Sequence, residues 1–101
     1  MLYMCVLTHS PDFCPMVNKD VREKYFSAAK EVPNTAKALG ITVQGGWTNE
    51  LAHTTYTLAD APNAHVIAQF LSKLHYLDWN TVVVNPVSTR EEVAAQIQKV
   101  V

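Results

Sequence analysis

The alternation of hydrophobic and polar positions along the chain predicts four strands. Residues 2 to 9 are apolar on both faces, which is typical of a central strand that is covered on both sides. Later segments rich in β-branched and aromatic residues predict the other three strands, at residues 41 to 47, 53 to 58 and 79 to 87. The pair Gly45-Gly46 indicates a bulge in the second strand.

Apolar residues spaced by three and four positions predict three helices. The first begins after Asn18 as its N-cap, and Pro33 inside it predicts a kink or a break into two pieces. The second begins at Asp60, with a proline in its first turn. The C-terminal helix begins at Ser88 or Thr89, because both residues match a capping box.

The predicted order is β-α-β-β-α-β with a C-terminal helix, which is the ferredoxin-like arrangement of an α+β protein with an antiparallel sheet. We expect a single domain that covers residues 1 to 101. Helices cover only one face of such a sheet. Because the first strand is apolar on both faces, we expect a second copy of the chain to pack against the other face and form a homodimer.

Composition narrows the class of function. Apolar residues make up 49% of the chain and charged residues 17%, and the net charge is −1. Without a basic run, the chain lacks the electrostatic signature of nucleic-acid or anionic-membrane binding. No apolar run approaches the roughly 20 residues of a membrane helix. Two cysteines do not indicate a disulfide framework, so we expect a cytoplasmic protein.

The topology brings distant ligand-type side chains to one rim of the sheet. Right-handed crossovers place the end of strand one beside the starts of strands three and four. His9 ends strand one, His53 starts strand three, and His75 precedes strand four. Cys14 lies in the loop that follows His9. We therefore expect these four residues at the same rim, although a shared rim does not by itself give ligand distances.

Imidazole and thiolate groups are the ligands that zinc, copper and iron take in proteins. We therefore predict a transition-metal site at His9, Cys14 and His53, with His75 as a further candidate ligand. Cys14 also precedes a helix, where a reactive thiolate is plausible. In the competing interpretation each histidine is a partly buried residue bonded to backbone or water, and Cys14 is a small residue in a tight loop.

Other residues at this end of the chain are candidates for supporting roles. Asp12 and Glu50 are candidate general bases or partners of the ligands, and each is alternatively a solvated loop carboxylate. Aromatic residues predict an apolar pocket or, alternatively, core and dimer contacts; they are Tyr3, Trp47, Tyr56 and Trp79. Of these, Tyr3 and Tyr56 are expected to face the space between subunits.

The strand order and the uncovered sheet face resemble the dimeric α+β barrel superfamily, which includes muconolactone-isomerase-like proteins and antibiotic-biosynthesis-type monooxygenases. The segment Thr8-His9-Ser10-Pro11-Asp12-Phe13-Cys14-Pro15, followed by His53, resembles an uncharacterised prokaryotic subgroup of these barrels. Leu7 stands where a further histidine occurs in that subgroup. The resemblance implies a homodimer with ligand space between sheet and helices, and it implies no particular reaction.

Two classes of function follow from these patterns. In the first, the protein binds a metal or small ligand at His9, Cys14 and His53 and carries out redox or isomerase chemistry on a small organic molecule. In the second, it is a non-catalytic ligand-binding or assembly module. Electron transfer through a copper-like His/Cys site is a third possibility, but the chain lacks a suitably placed methionine for it: of Met1, Met4 and Met16, only Met16 is near the rim.

Overall fold

The strands and helices follow one another in the order β-α-β-β-α-β, with one more helix at the C-terminus. A computed structural model describes residues 1 to 101. The elements are β1 (Leu2–Thr8), α1 (Lys19–Leu39), β2 (Thr42–Asn49), β3 (Thr54–Asp60), α2 (Ala64–Lys73), β4 (Thr81–Val87) and α3 (Arg90–Val100). Short 3-10 segments connect them at Pro11–Phe13, Glu50–Ala52 and Tyr76–Asp78.

The four strands form one sheet in the order β2-β3-β1-β4, and every neighbouring pair is antiparallel. The expected α+β architecture with an antiparallel sheet is therefore confirmed. Thr8 at the end of β1 pairs with Thr54 at the start of β3 and with Thr81 at the start of β4. This register places the segments before β3 and β4 at the same rim as the segment after β1. The register of β2 shifts between Val43 and Gly45, as expected for a bulge.

The hydrophobic core lies between the sheet and the helices α1 and α2. Alternate residues of β1, namely Tyr3, Cys5 and Leu7, are buried, because successive side chains of a strand point to opposite faces. They pack in one cluster with residues of the strands, helices and loops, which are Ala28, Ala36, Ile41, Ala59, Ala61, Ile67, Phe70, Leu71 and Leu74. Burial also raises the pKa of the Cys5 thiol, so this cysteine is a packed core residue.

Helix α1 is continuous from Lys19 to Leu39, so the predicted break into two pieces at Pro33 does not occur. Proline removes one backbone donor from a helix, while the rest of the ladder stays intact. Buried Ala28 precedes Pro33 and buried Ala36 follows it, so both halves of the helix pack on the same core. This packing holds the helix together across the proline.

Two of the three predicted helix N-caps are confirmed, and the third is wrong. The Asn18 side chain accepts a hydrogen bond at the start of α1, and Thr89 forms a capping box with Glu92 at the start of α3. Helix α2, however, is capped by Asn63, whose Oδ1 accepts from Val66. Asp60 is instead the last residue of β3, and its carboxylate lies 3.0 Å from the N-terminal ammonium.

No other part of the chain packs over one face of the sheet, and α3 buries none of its residues. Val83 on the open face is about half exposed, and none of the α3 side chains is buried, although Val93 and Ile97 form an apolar stripe on it. The radius of gyration is 15.3 Å, against about 13 Å for a compact chain of this length. None of the three helices has the length and apolar composition needed to cross a lipid bilayer.

Candidate metal centre

The pairing of β1 with β3 brings His9 and His53 together. Beyond the last strand pair, Thr8 with Thr54, the His9 amide donates a hydrogen bond of 3.1 Å to the His53 carbonyl. The hydroxyls of Thr8 and Thr54 are also bonded to each other, at 3.2 Å. The two imidazole rings meet edge to face, with centroids 5.1 Å apart. The side chains therefore lie on the same side of the ladder, which the sequence left open.

A tight turn before His53 sets the backbone conformation that orients its ring toward His9. Residues Glu50–Ala52 form a 3-10 turn, and the Asn49 side chain accepts a hydrogen bond of 3.3 Å from the Ala52 amide. His53 then adopts a left-handed backbone with φ of 52°. This conformation costs a non-glycine residue on the order of 1 kcal/mol, and histidine tolerates it better than β-branched residues do. The turn and the β1–β3 ladder together hold His53 in place.

The loop from Ser10 to Asn18 carries Cys14 back toward the two histidines. The Cys14 carbonyl accepts from the amides of Val17 and Asn18, at 3.0 and 2.9 Å. The Asn18 side chain donates to the Asp12 carbonyl at 3.1 Å while it caps α1. Arg22 Nε donates to the Pro15 carbonyl at 2.9 Å. These bonds tie the Cys14 loop to the first turns of α1.

The result is a group of three ligand atoms, one each from His9, Cys14 and His53, that all lie within 4.8 Å of one another. All three residues are partly buried. A tetrahedral zinc site, with bonds of about 2.0–2.3 Å, separates its ligand atoms by about 3.5 Å. Side-chain rotations that shorten the distances by about 1 Å would therefore close the group around an ion. Three protein ligands leave one coordination position open.

His9 Nε2 supports a metal at this position. The atom is shielded from solvent and has no hydrogen-bond partner. A buried polar atom without a partner costs free energy, so its presence calls for an explanation. A metal ion approaches an imidazole nitrogen to about 2 Å, closer than the roughly 2.9 Å of a water molecule. The residues therefore fit an ion of this class.

The electrostatics of His9 favour the ligand form of the imidazole. Burial lowers the pKa of His9, and the neighbouring His53 lowers it further, while the Asn80 side chain opposes both effects. A lowered pKa favours the neutral form of the ring. Neutral imidazole is the form that binds metals.

A cavity of about 770 Å³ opens beside the three ligand residues. Its apolar wall includes Tyr25 and Phe26, whose rings meet edge to face with centroids 5.5 Å apart. Arg22 and Glu50 supply charged groups to the same cavity. We call this space the outer cavity.

A second cavity, of about 230 Å³, lies deeper between the sheet and the helices. Both cavities are lined by Tyr25, Thr48, Thr55 and Trp79, so they adjoin one another. The inner cavity is largely apolar, and Tyr76 at its wall has a pKa raised by burial and by the nearby Tyr25. Nε1 of Trp79 is buried without a hydrogen-bond partner. The three candidate metal ligands therefore line the outer cavity, which adjoins the largely apolar inner cavity.

The predicted supporting residues divide between the site and the solvent. Glu50 lines the outer cavity. Asp12 is fully exposed and does not line it; hydrogen bonds from the Ser10 side chain and from its own backbone lower the pKa of its carboxyl. His75 does not join the group of three, because its Nδ1 pairs with the Asp78 carboxylate at 3.1 Å on the exposed side of its turn.

The four aromatic candidates lie in different environments. Trp79 is buried, lines both cavities and lies 5.4 Å from the His9 ring, measured between centroids. Tyr3 lies in the core on the helix side, where its hydroxyl donates to the Met1 sulfur at 3.3 Å, so it does not face a second subunit. Trp47 and Tyr56 are 57% and 37% exposed on the open face of the sheet.

The sequence did not predict two residues that lie at the site, Asn80 and Tyr25. Asn80 influences the pKa of the His9 imidazole, but no spacing rule connects these positions. Tyr25, which was not among the candidate residues, is 45% exposed at the cavity wall. The signal for Tyr25 was present, because adjacent aromatic residues at 25 and 26 cannot both face the core of one helix.

Neither a scan against protein-family models nor a comparison with curated proteins found a match to this chain.

Proposed function

We propose that the protein binds a transition metal through His9, Cys14 and His53, and that the metal and the outer cavity together bind a small organic molecule. The observation that carries this proposal is the approach of three ligand atoms from distant parts of the chain to within 4.8 Å of one another. The unpartnered Nε2 of His9 and the open coordination position support it.

The reaction class that we propose is redox or isomerase chemistry on that organic molecule. A bound metal supplies Lewis acidity or a redox centre at the open position. The apolar walls of the cavities keep water away from the bound molecule, and the Glu50 carboxylate at the cavity wall is placed to accept or return a proton. The alternative is a protein that binds metal and ligand without turnover, since the same three residues serve both purposes.

We further propose that the working unit is a cytoplasmic homodimer. The open face of the sheet presents Trp47, Tyr56 and Val83, and α3 presents an apolar stripe with none of its side chains buried. A second copy of the chain would remove both surfaces from water, in an interface of the order of 800 Å² per partner. Both cysteines are free, and a reducing compartment preserves a thiolate ligand at Cys14.

Metal analysis of untagged protein tests the proposal. We expect close to one zinc, copper or iron ion per chain by elemental mass spectrometry, and loss of that ion in His9→Ala. Light scattering of the same samples should show that His9→Ala remains a dimer. A wild-type protein that stays metal-free after incubation with each ion would refute the metal site, whereas loss of dimerisation in His9→Ala would favour a structural role for the histidine.

Substitutions on the open surfaces test the dimer separately. A lysine in place of Val83 or Ile97 should produce monomers, because a charge would be buried in the interface. Ala68→Lys is the control, since Ala68 is an exposed residue of α2 on the opposite side of the sheet. A wild-type protein that sediments as a monomer would contradict the homodimer.

A further inference from the structure

Met16 lies two residues after Cys14 and lines the same cavity as His9, Cys14 and His53. Its side chain is 77% exposed, so folding does not bury this apolar group. Its backbone is held in place, because the Met16 carbonyl accepts a hydrogen bond of 3.1 Å from Arg22 Nη2. A thioether on a fixed backbone, with a flexible three-bond side chain, is thus available at the cavity wall.

We infer that the Met16 thioether is a fourth ligand and that the metal is Cu(I). The inference rests on the proposed metal site at His9, Cys14 and His53. Thiolate and thioether sulfurs are soft ligands that select Cu(I), and imidazole completes copper sites readily. Zinc rarely takes a thioether ligand, so Met16 is the residue that separates the two metals.

The charge of the group also favours a monovalent ion. The three clustered residues include one cysteine, which binds metals as a thiolate, and no carboxylate. Cu(I) with one thiolate is neutral, whereas a divalent ion keeps a net charge of +1. Because the cavity next to the group has a largely apolar wall, a neutral centre costs less free energy to enclose than a charged one does.

Glu50 is the competing fourth ligand. It lines the same cavity, and a carboxylate in the fourth position would suit zinc or iron. Its oxygens are not among the atoms that lie within 4.8 Å of one another, so Glu50, like Met16, is placed beside the group by the cavity lining alone. The two candidates can be tested separately, because neither residue is part of the core.

The test is an anaerobic competition for Cu(I) between the protein and a chromophoric copper chelator. Met16→Leu keeps the size and apolarity of the side chain and removes only the sulfur, so we expect its Cu(I) affinity to fall about tenfold. Zinc affinity should stay unchanged. Met4→Leu, on the sheet, is the matched control and should bind Cu(I) like the wild type. Glu50→Gln tests the competing ligand, and we expect it to retain Cu(I) affinity.

X-ray absorption of the copper-loaded protein counts the sulfur ligands directly. We expect two sulfur neighbours in the wild type and in Met4→Leu, and one in Met16→Leu. Wild-type Cu(I) affinity and an unchanged sulfur count in Met16→Leu would overturn the inference, as would a larger effect of Glu50→Gln. If zinc binds and Cu(I) does not, the inference fails while the metal site stands. If neither ion binds, the proposed function fails with it.

Discussion

His53 and His75 occupy comparable backbone positions but have different surroundings. Each precedes a strand at the same rim of the sheet, each adjoins a 3-10 turn, and each has a left-handed backbone, with φ of 52° and 62°. The His53 ring meets His9 and belongs to the group that includes Cys14. The His75 ring instead pairs with the exposed Asp78 carboxylate.

The difference arises from how closely each histidine is joined to its strand. His53 immediately precedes β3, so the ladder with β1 continues for one more residue and the His53 carbonyl accepts from the His9 amide. His75 is separated from β4 by the turn Tyr76–Asp78 and by two further residues. A histidine at this rim of the sheet therefore does not, by residue type and position alone, reach the group formed by His9 and Cys14. Direct hydrogen bonding to the neighbouring strand decides which histidine reaches the site.

The largest expected effect is on metal affinity. His53→Ala removes one of the three proposed ligands, so we predict that metal affinity falls about 100-fold or more. At roughly 1.4 kcal/mol per factor of ten, this is a loss of about 3 kcal/mol of binding free energy. His75→Ala should bind metal like the wild type, because its ring lies outside the group. Isothermal titration of the two variants with the same ion makes the comparison.

Equal losses in the two variants would contradict this distinction between the histidines. They would mean that the loop carrying His75 moves into the site when the metal binds. Circular dichroism of both variants serves as the control, because a general loss of folding would also lower metal binding.

The topology of the site was predictable, and its distances were not. Alternating hydrophobicity and right-handed crossovers are properties of whole strands, and they were enough to place His9, His53 and His75 at one rim. Whether a ring points toward its neighbour depends on single dihedral angles, such as the positive φ of His53. No pattern in the sequence marks that angle in a residue other than glycine.

Cys14 shows the same limit for a loop. Its position depends on side chains that bond to backbone groups, chiefly Asn18 to the Asp12 carbonyl and Arg22 to the Pro15 carbonyl. The N-cap role of Asn18 could be predicted from its place before an amphipathic segment. Its second bond and those of Arg22 follow from the folded loop and have no sequence signature.

A moderate effect on stability is expected from glycine at the two left-handed positions. His75→Gly relieves backbone strain and loses only an exposed hydrogen bond with Asp78, so we predict that the free energy of unfolding rises by about 0.5–1 kcal/mol. His53→Gly relieves similar strain but also loses the ring contact with His9, so its gain should be smaller or absent. Urea denaturation of the metal-free proteins measures both changes.

His65→Gly is the matched control for the glycine substitutions. His65 lies in the first turn of α2 with an ordinary helical backbone, so glycine there should lower the free energy of unfolding. A stabilisation of His65→Gly equal to that of His75→Gly would show that the gain does not come from backbone strain.

The smallest expected effect is a pH dependence that involves His9 and distinguishes His53, which contacts His9, from His75, which does not. Because burial and His53 hold the pKa of His9 below 6.5, the folded metal-free protein binds fewer protons than the unfolded chain in mildly acidic solution. The free energy of unfolding should therefore fall as the pH drops below that value, and the loss should end once the pH is below the folded pKa of His9.

His53→Asn removes one cause of the shift, so an NMR titration should show the pKa of His9 moving back up toward its ordinary value. The same substitution at His75 should leave the pKa of His9 unchanged, because the His75 ring contacts Asp78 and not His9. An equal shift of the His9 pKa in both variants would mean that the two histidines act on the site alike.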